Sequence, residues 1–262
     1  MKSATFTSEL FSFAFFNSYQ SSINYLASLA EQEQWDFSDS TQQNKAILKS
    51  YLEHTYRKLK NDNQIAFSQD NKWACFDTGL MTNSLERIFA LFEQNKIAQV
   101  NPSASPFYFK SFVRESEYFL ISLFPKLPES ANYFLNPEDL IFNPRICVIP
   151  QIDHIIEDNI GRFPIHMRDL PIDEKRRRLI GAIDEAQKKV RTNYKLAVPQ
   201  YYNGRIQLLL PLCLTPGSPN PDLALVTHRV GDSYTARTCL TLKMAYSNAR
   251  LIVKPQSLWL HV

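Results

Sequence analysis

Residues 206–243 read IQLLLPLCLTPGSPNPDLALVTHRVGDSYTARTCLTLK, three runs rich in Leu, Val and Thr separated by turn residues. Ile206 to Leu214, Asp222 to His228 and Ser233 to Lys243 are expected strands, with Pro216-Gly217-Ser218-Pro219 and Gly231-Asp232 as the turns between them. Connections this short join antiparallel neighbours, so the last third of the chain reads as an antiparallel meander. Upstream, Ile172, Leu179, Ala182, Ile183, Ala186 and Val190 mark one face of a long helix after Pro171. Asp173-Glu174 open that helix and Lys188, Lys189 and Arg191 close it, the polarity a helix dipole favours.

Five prolines between Pro125 and Pro150 read as an ordered connection, with a strand near Arg145 to Ile149. Before it, helical spacing dominates. Phe11 to Phe37 carries eight aromatics around a helix that starts at Ser21-Ser22 with Ile23, Leu26 and Leu29 inward, and a second helix is expected from Gln42 to Lys60. Gln64 to Phe67 and Lys72 to Phe76 read as a hairpin, Ser84 to Gln94 as a helix through Leu85, Ile88, Phe89 and Phe92, Phe107 to Val113 as a strand, and Glu115 to Phe124 as a helix stopped by Pro125. Helices early and strands late give an α+β class: a helical N-terminal part and a long basic helix packed on a mainly antiparallel sheet. One globular domain over residues 1–262 is expected, with a possible lobe boundary within 125–150 and no internal repeat.

Glycine narrows the function classes. The chain has 6 glycines in 262 residues, about 2% against a typical ~7%, and none is closer to another than the 13 positions from Gly204 to Gly217. That leaves no G-x-G-x-x-G turn, no phosphate loop and no G-x-S-x-G elbow, so dinucleotide folds, P-loop NTPases and ordinary α/β-hydrolases are disfavoured and no cofactor is expected. Cys75, Cys147, Cys213 and Cys239 are far apart and read as buried free thiols. Lys2 and the phenylalanine-rich start are interrupted by Glu9 and serines without a cleavage site, so no signal peptide is expected. No apolar run approaches the ~18 residues of a membrane span, and a cytoplasmic protein without membrane contact is the expectation.

Charge concentrates on the long helix and its exit. Between Arg168 and Lys195 there are nine Lys/Arg and five Asp/Glu, a local surplus of +4 in a chain whose net charge is +3. Such a surface suits phosphates, although a run such as Lys175-Arg176-Arg177-Arg178 also reads as a solvated helix face. The candidate contacts are Arg176, Arg177, Lys188, Lys189 and Lys195, continuing into Gln200, Tyr201 and Tyr202, with Arg237 and Arg250 on the final strands. Cations for a backbone and aromatic faces for bases are the two parts of single-strand recognition. The alternative is that Tyr201-Tyr202 is a turn packed on a sheet.

Proton chemistry has one cluster, Asp153, His154, Glu157 and Asp158. On a helix Asp153 faces Glu157 and His154 faces Asp158, and a carboxylate beside an imidazole can orient it as a general acid or base. Arg162 could hold a phosphate. A capped helix end with satisfied polar groups is the plainer reading, and no metal site is expected because H-E-x-x-H and Cys/His ligand patterns are absent. Thr78-Gly79 could offer backbone N–H groups to an anion, or be a simple turn.

Several strings together resemble a known family: Phe13-Ala14-Phe15-Phe16, Asp77-Thr78-Gly79-Leu80, Ile152-Asp153-His154-Ile155 running to Arg162-Phe163-Pro164, Ala197-Val198-Pro199-Gln200-Tyr201-Tyr202, and Met244-Ala245-Tyr246-Ser247-Asn248-Ala249-Arg250. The chain resembles the domain-of-unknown-function family found C-terminal to OST-HTH (LOTUS) RNA-binding modules, from about residue 11 to the end. The resemblance implies one domain and association with RNA-binding partners. The family's pattern tends to have Asn where this chain has Asp77, and no OST-HTH winged helix precedes residue 11, so RNA, if it is the target, is expected to be bound by this domain alone or through a separate OST-HTH-type partner. Three readings follow: a module binding single-stranded RNA or RNA ends through the 175–205 surface; an enzyme acting on RNA ends or a nucleotide phosphate, by hydrolysis or transfer, with His154 as acid or base; and a protein-interaction domain whose aromatic N-terminal segment docks a partner.

Overall fold

The computed structural model describes residues 8–257 and 259–261; Lys2 lies outside them. Contacts divide the chain into Met1–Asn132 and Tyr133–Val262. The first unit runs α1 (Glu9–Phe13), β1 (Ala14–Phe15), α2 (Tyr19–Leu29), α3 (Ala46–Asn61), β2 (Ala66–Phe67), β3 (Trp73–Met81), β4 (Arg87–Gln94), β5 (Phe107–Arg114) and α4 (Tyr118–Leu123). The second runs β6 (Cys147–Pro150), α5 (Ile152–Asn159), α6 (Ile165–Arg168), α7 (Ile172–Thr192), β7 (Val198–Tyr202), β8 (Arg205–Leu212), β9 (Leu223–Val230), β10 (Ser233–Thr241) and α8 (Leu242–Arg250). The class is α+β, with two sheets of five strands each.

The two sheets are threaded alike. In unit 1 the order is β1-β5-β4-β3-β2, and in unit 2 it is β6-β10-β9-β8-β7. In each, the first strand lies parallel to the last and the other pairings are antiparallel. In each, helices follow the first strand, a four-stranded meander comes next, and one helix closes the unit. This is an internal repeat of topology, where the sequence reading expected none, because connectivity is shared while the side chains that fill the two cores differ.

Ser18 accepts the Ser21 N–H and caps α2. Lys45, at φ 55, donates its N–H to Asp36 Oδ1 at 2.6 Å and delays the start of α3 to Ala46. The segment expected to be helical over 84–94 is strand β4. Ile88, Phe89, Ala90, Leu91 and Phe92 are all buried, because β4 lies between β3 and β5 with packed layers on both faces. A strand buried on both faces loses its alternation and becomes indistinguishable by periodicity from a buried helix. Phe76, Phe92 and Phe112 form one face with Tyr56 of α3; Cys75, Phe89, Leu91 and Val113 form the other with Leu120 of α4. Trp35 is buried, as are Ile23 and Leu26.

In unit 2, Leu208, Leu210, Leu212, Leu225 and Cys239 pack under Ile155 of α5 and Leu179, Ile183 and Val190 of α7. Residues of opposite parity, Leu209, Val226 and Leu240, are buried on the second face, which α8 crosses by packing on β7, β9 and β10. Residues 242–250, read as strand, are therefore a helix, capped by Thr241 through the Met244 N–H. Arg250, expected on a final strand, therefore lies on this helix, one turn after Tyr246 on the same buried face. Among the described residues no helix is long and apolar enough to cross a membrane.

Candidate nucleic-acid interface

Helix α7 presents its apolar stripe to the sheet and so places Arg177, Asp184, Lys188 and Arg191 on the ridge facing away from it. Most of its positive charge is met locally. Arg178 reaches Glu174, Lys188 reaches Asp184 and Lys189 reaches Glu185, each at 2.6 Å, and Arg176 crosses to Asp153 of α5 at 3.2 Å. Lys175, Arg177, Arg191 and Lys195 have no ion-pair partner among the described residues. These four unpaired cations, three on the helix and Lys195 just past its end, and not the whole run, are what this segment offers to an anion.

The chain leaves α7 through Asn193, whose side chain accepts the Lys195 N–H, and enters the edge strand β7. Tyr194 is 60% exposed and Tyr202 54% exposed. Tyr201 instead packs edge-on against Tyr133 with ring centroids 4.8 Å apart. Gln200 is 1% exposed, donates to Gln207 Oε1 at 2.9 Å and accepts from Asn248 Nδ2 at 3.1 Å. It ties β7 to β8 and α8 instead of facing solvent. Arg250 is likewise buried on α8. Arg237 is exposed at the β10 bulge.

A cavity of about 500 Å³ opens where residues 194–199 meet the end of α8 and the tail at 253–257. Lys195 and Lys254 both line it, Tyr194 stands at its edge, and none of the described residues lining it is acidic. The tail is pinned there: Trp259 Nε1 donates to the Leu196 carbonyl at 2.9 Å and Ser257 Oγ to the Lys195 carbonyl at 3.3 Å. Lys254 was not singled out by sequence, since a lone lysine before Pro255 carries no signal until the tail folds back. A second cavity, about 650 Å³, lies between α7 and the 213–219 turn and includes Glu185 and Arg178, whose charges are already paired.

The proton-moving cluster has one of its two expected pairs. His154 Nδ1 is 3.2 Å from Asp158 Oδ2, but both side chains are exposed on α5, while Asp153 turns to Arg176. Arg162 donates through Nη1 to Asn159 Oδ1 at 2.6 Å, to Thr238 Oγ1 at 3.3 Å and to the Cys239 carbonyl. It anchors the end of α5 to β10. Tyr202 on β7 and Arg237 on β10 are separated by β8 and β9, about 14 Å at the usual inter-strand spacing. His154, Arg162, Tyr202 and Arg237 therefore do not share one cleft. Burial pushes the thiols of Cys75 and Cys239 up to about 12, Cys213 is half-buried, and Cys147, expected inside, is exposed on the edge strand β6.

Unit 1 holds a buried charge of its own. Asp77 is 1% exposed and accepts the Gly79 N–H at 2.7 Å and Arg87 Nη1 at 3.3 Å; Arg87 Nη2 reaches Glu115 at 2.6 Å. Burial outweighs these contacts and pushes the Asp77 carboxyl up to about 6, whereas the hydrogen bond from Arg87 lowers Glu115. Gly79, expected in a turn, lies inside β3 at φ 72, where the register shifts between Asp77 and Met81. Its N–H is spent on Asp77 and so is not offered to an anion.

Residues 26–259 match the family model described as a domain of unknown function, DUF3825. No curated protein and no solved structure matches the chain. The chain belongs to the DUF3825 family.

Proposed function

We propose that this DUF3825 domain binds single-stranded RNA through the outward ridge of α7 and the segment that leads from it into β7. The observation that carries the reading is the set of cations left without a carboxylate, Arg177, Arg191 and Lys195, beside the exposed ring of Tyr194. Unpaired cations release counterions from a phosphate backbone, and an exposed aromatic stacks on any base. The resemblance to OST-HTH-associated domains supports the same reading and extends it to a separate OST-HTH-type RNA-binding partner in the cytoplasm.

The test is fluorescence anisotropy with a short labelled single-stranded RNA over a range of salt. Replacing Arg177, Arg191 and Lys195 together by Ala lowers affinity about tenfold or more and reduces the log–log salt slope by about 2, as expected for three lost phosphate contacts on a single strand. Lys188→Ala with Lys189→Ala has a smaller effect, because those ammonium groups already sit on Asp184 and Glu185. Absence of binding at low salt, or a triple variant that binds like the parent, overturns the reading.

A further inference from the structure

The cavity beside Lys195 differs from the α7 ridge in being concave, apolar on its walls and positive at its edge. Val198, Pro199 and Val253 contribute wall, and Lys195 and Lys254 contribute charge from two segments far apart in sequence. Its volume of about 500 Å³ falls within the ~300–1,000 Å³ of small-molecule sites, room for one nucleotide but not for a length of strand. Two ammonium groups with no acidic residue among the described lining exclude a cationic ligand and favour an anion of high charge density. Apolar walls and the Tyr194 ring ask for a flat, largely apolar body attached to that anion. The tail pinned through Ser257 and Trp259 bounds one side, so that a strand can enter without running through.

We propose that this cavity holds a single nucleotide bearing a phosphomonoester, its phosphate on Lys195 and Lys254 and its base against Tyr194 and the Val198–Pro199 wall. Such a group occurs on a free nucleoside monophosphate and on a phosphorylated RNA end. The second source rests on the RNA reading above, in which α7 holds the body of the strand while the cavity inspects its terminus.

Two measurements separate the sources. Calorimetric titration compares adenosine 5′-monophosphate with adenosine, and anisotropy competition compares one RNA with 5′-phosphate, 3′-phosphate or hydroxyl ends. Expected are binding of the monophosphate at least about tenfold tighter than adenosine, the worth of one charge-assisted phosphate contact, and an equal or greater preference for one phosphorylated end. Lys254→Ala removes the preference by withdrawing charge, and Val253→Trp, at a half-exposed wall position, removes it by filling the space. Both leave hydroxyl-ended RNA bound as before, whereas Arg177→Ala with Arg191→Ala weakens all three RNAs alike. Monophosphate binding without RNA binding keeps the cavity assignment with a free nucleotide as its ligand and ends the RNA reading alone. RNA binding with no end preference and no heat from the monophosphate overturns the cavity assignment and leaves the RNA reading standing.

Discussion

Residues 1–132 and 133–262 thread five strands in the same order, with the first strand parallel to the last, yet they spend their side chains differently. Unit 1 fills its sheet with rings: Phe76, Phe89, Phe92 and Phe112 are fully buried, and Phe11, Phe13, Phe16 and Tyr19 extend the same network. It also takes a carboxylate inside. Unit 2 fills the equivalent layer mainly with Leu, Ile and Val, buries Arg250 on α8, and displays most of its local positive charge along a 21-residue helix. A topology needs only the right periods and connections, so two copies can diverge in everything else. The divergence places most of the buried rings in unit 1, while unit 2 carries the unpaired cations of α7, the exposed Tyr194 and Tyr202, and the cavity beside Lys195.

The comparison is most sharply tested in the ring network. Phe92→Ala is expected to cost about 3–5 kcal/mol in urea unfolding, as for other buried aromatics cut to Ala, and Trp35→Ala a similar amount. A Phe92→Ala protein with an unchanged midpoint would mean that the unit 1 sheet is not built on its rings.

The buried carboxylate gives the next effect. The Asp77 carboxyl goes from an ordinary 3.8 to about 6 in the folded protein, so the folded state binds the proton more tightly. Its stability contribution is complete below pH ~3.8 and is lost as pH rises through about 6, a fall of about 3 kcal/mol at 1.36 kcal/mol per pKa unit. Asp77→Asn should flatten stability across that window in urea titrations at a series of pH values. Glu115, lowered by its hydrogen bond from Arg87, works in the opposite sense: its contribution is present above its ordinary 4.5 and is lost as pH falls through its depressed folded value. If the parent gained stability on going from pH 4 to 7, ionised Asp77 would be the favoured form and the burial argument would fail.

Two glycines give smaller and opposite effects. At Gly79, φ is 72 and a Cβ would come within 2.6 Å of the Tyr51 hydroxyl, which donates to the Thr78 carbonyl. Gly79→Ala should therefore destabilise by about 1–3 kcal/mol, and Tyr51→Phe in the same chain should recover the part due to the clash. Gly181 lies on the exposed side of α7, and a Cβ there would meet nothing within 4 Å. Gly181→Ala should stabilise by about 0.5–1 kcal/mol, read as a rise in the thermal midpoint.

Much of the architecture was legible. The meander 205–241 and helix α7 follow from turn residues and a 3.6-residue stripe, both local signals, while α2 starts at Tyr19 under a Ser18 cap and not at the expected Ser21-Ser22. Strand β4 and helix α8 were not legible. In β4, burial on both faces erased the alternation. Helix α8 follows β10 with no Gly or Pro between them, so no turn residue marks the change from strand to helix. The basic surface was visible as composition and the 174/178, 184/188 and 185/189 pairs follow from helical spacing, but the pairing of Arg176 with Asp153, 23 positions away, does not.

The sequence by itself determined the class, the antiparallel end of the chain and the helix that carries the positive charge, since these depend on periods and turns within a few residues. Tertiary structure alone decided that Arg176 is taken up by Asp153 of another helix, why Gln200 and Arg162 are spent on holding strands and helices together, and that Lys254 returns to Lys195 across a cavity. The physical reason is range: propensity acts along the chain, whereas burial and ion pairing depend on segments that meet only after the sheet has brought them together.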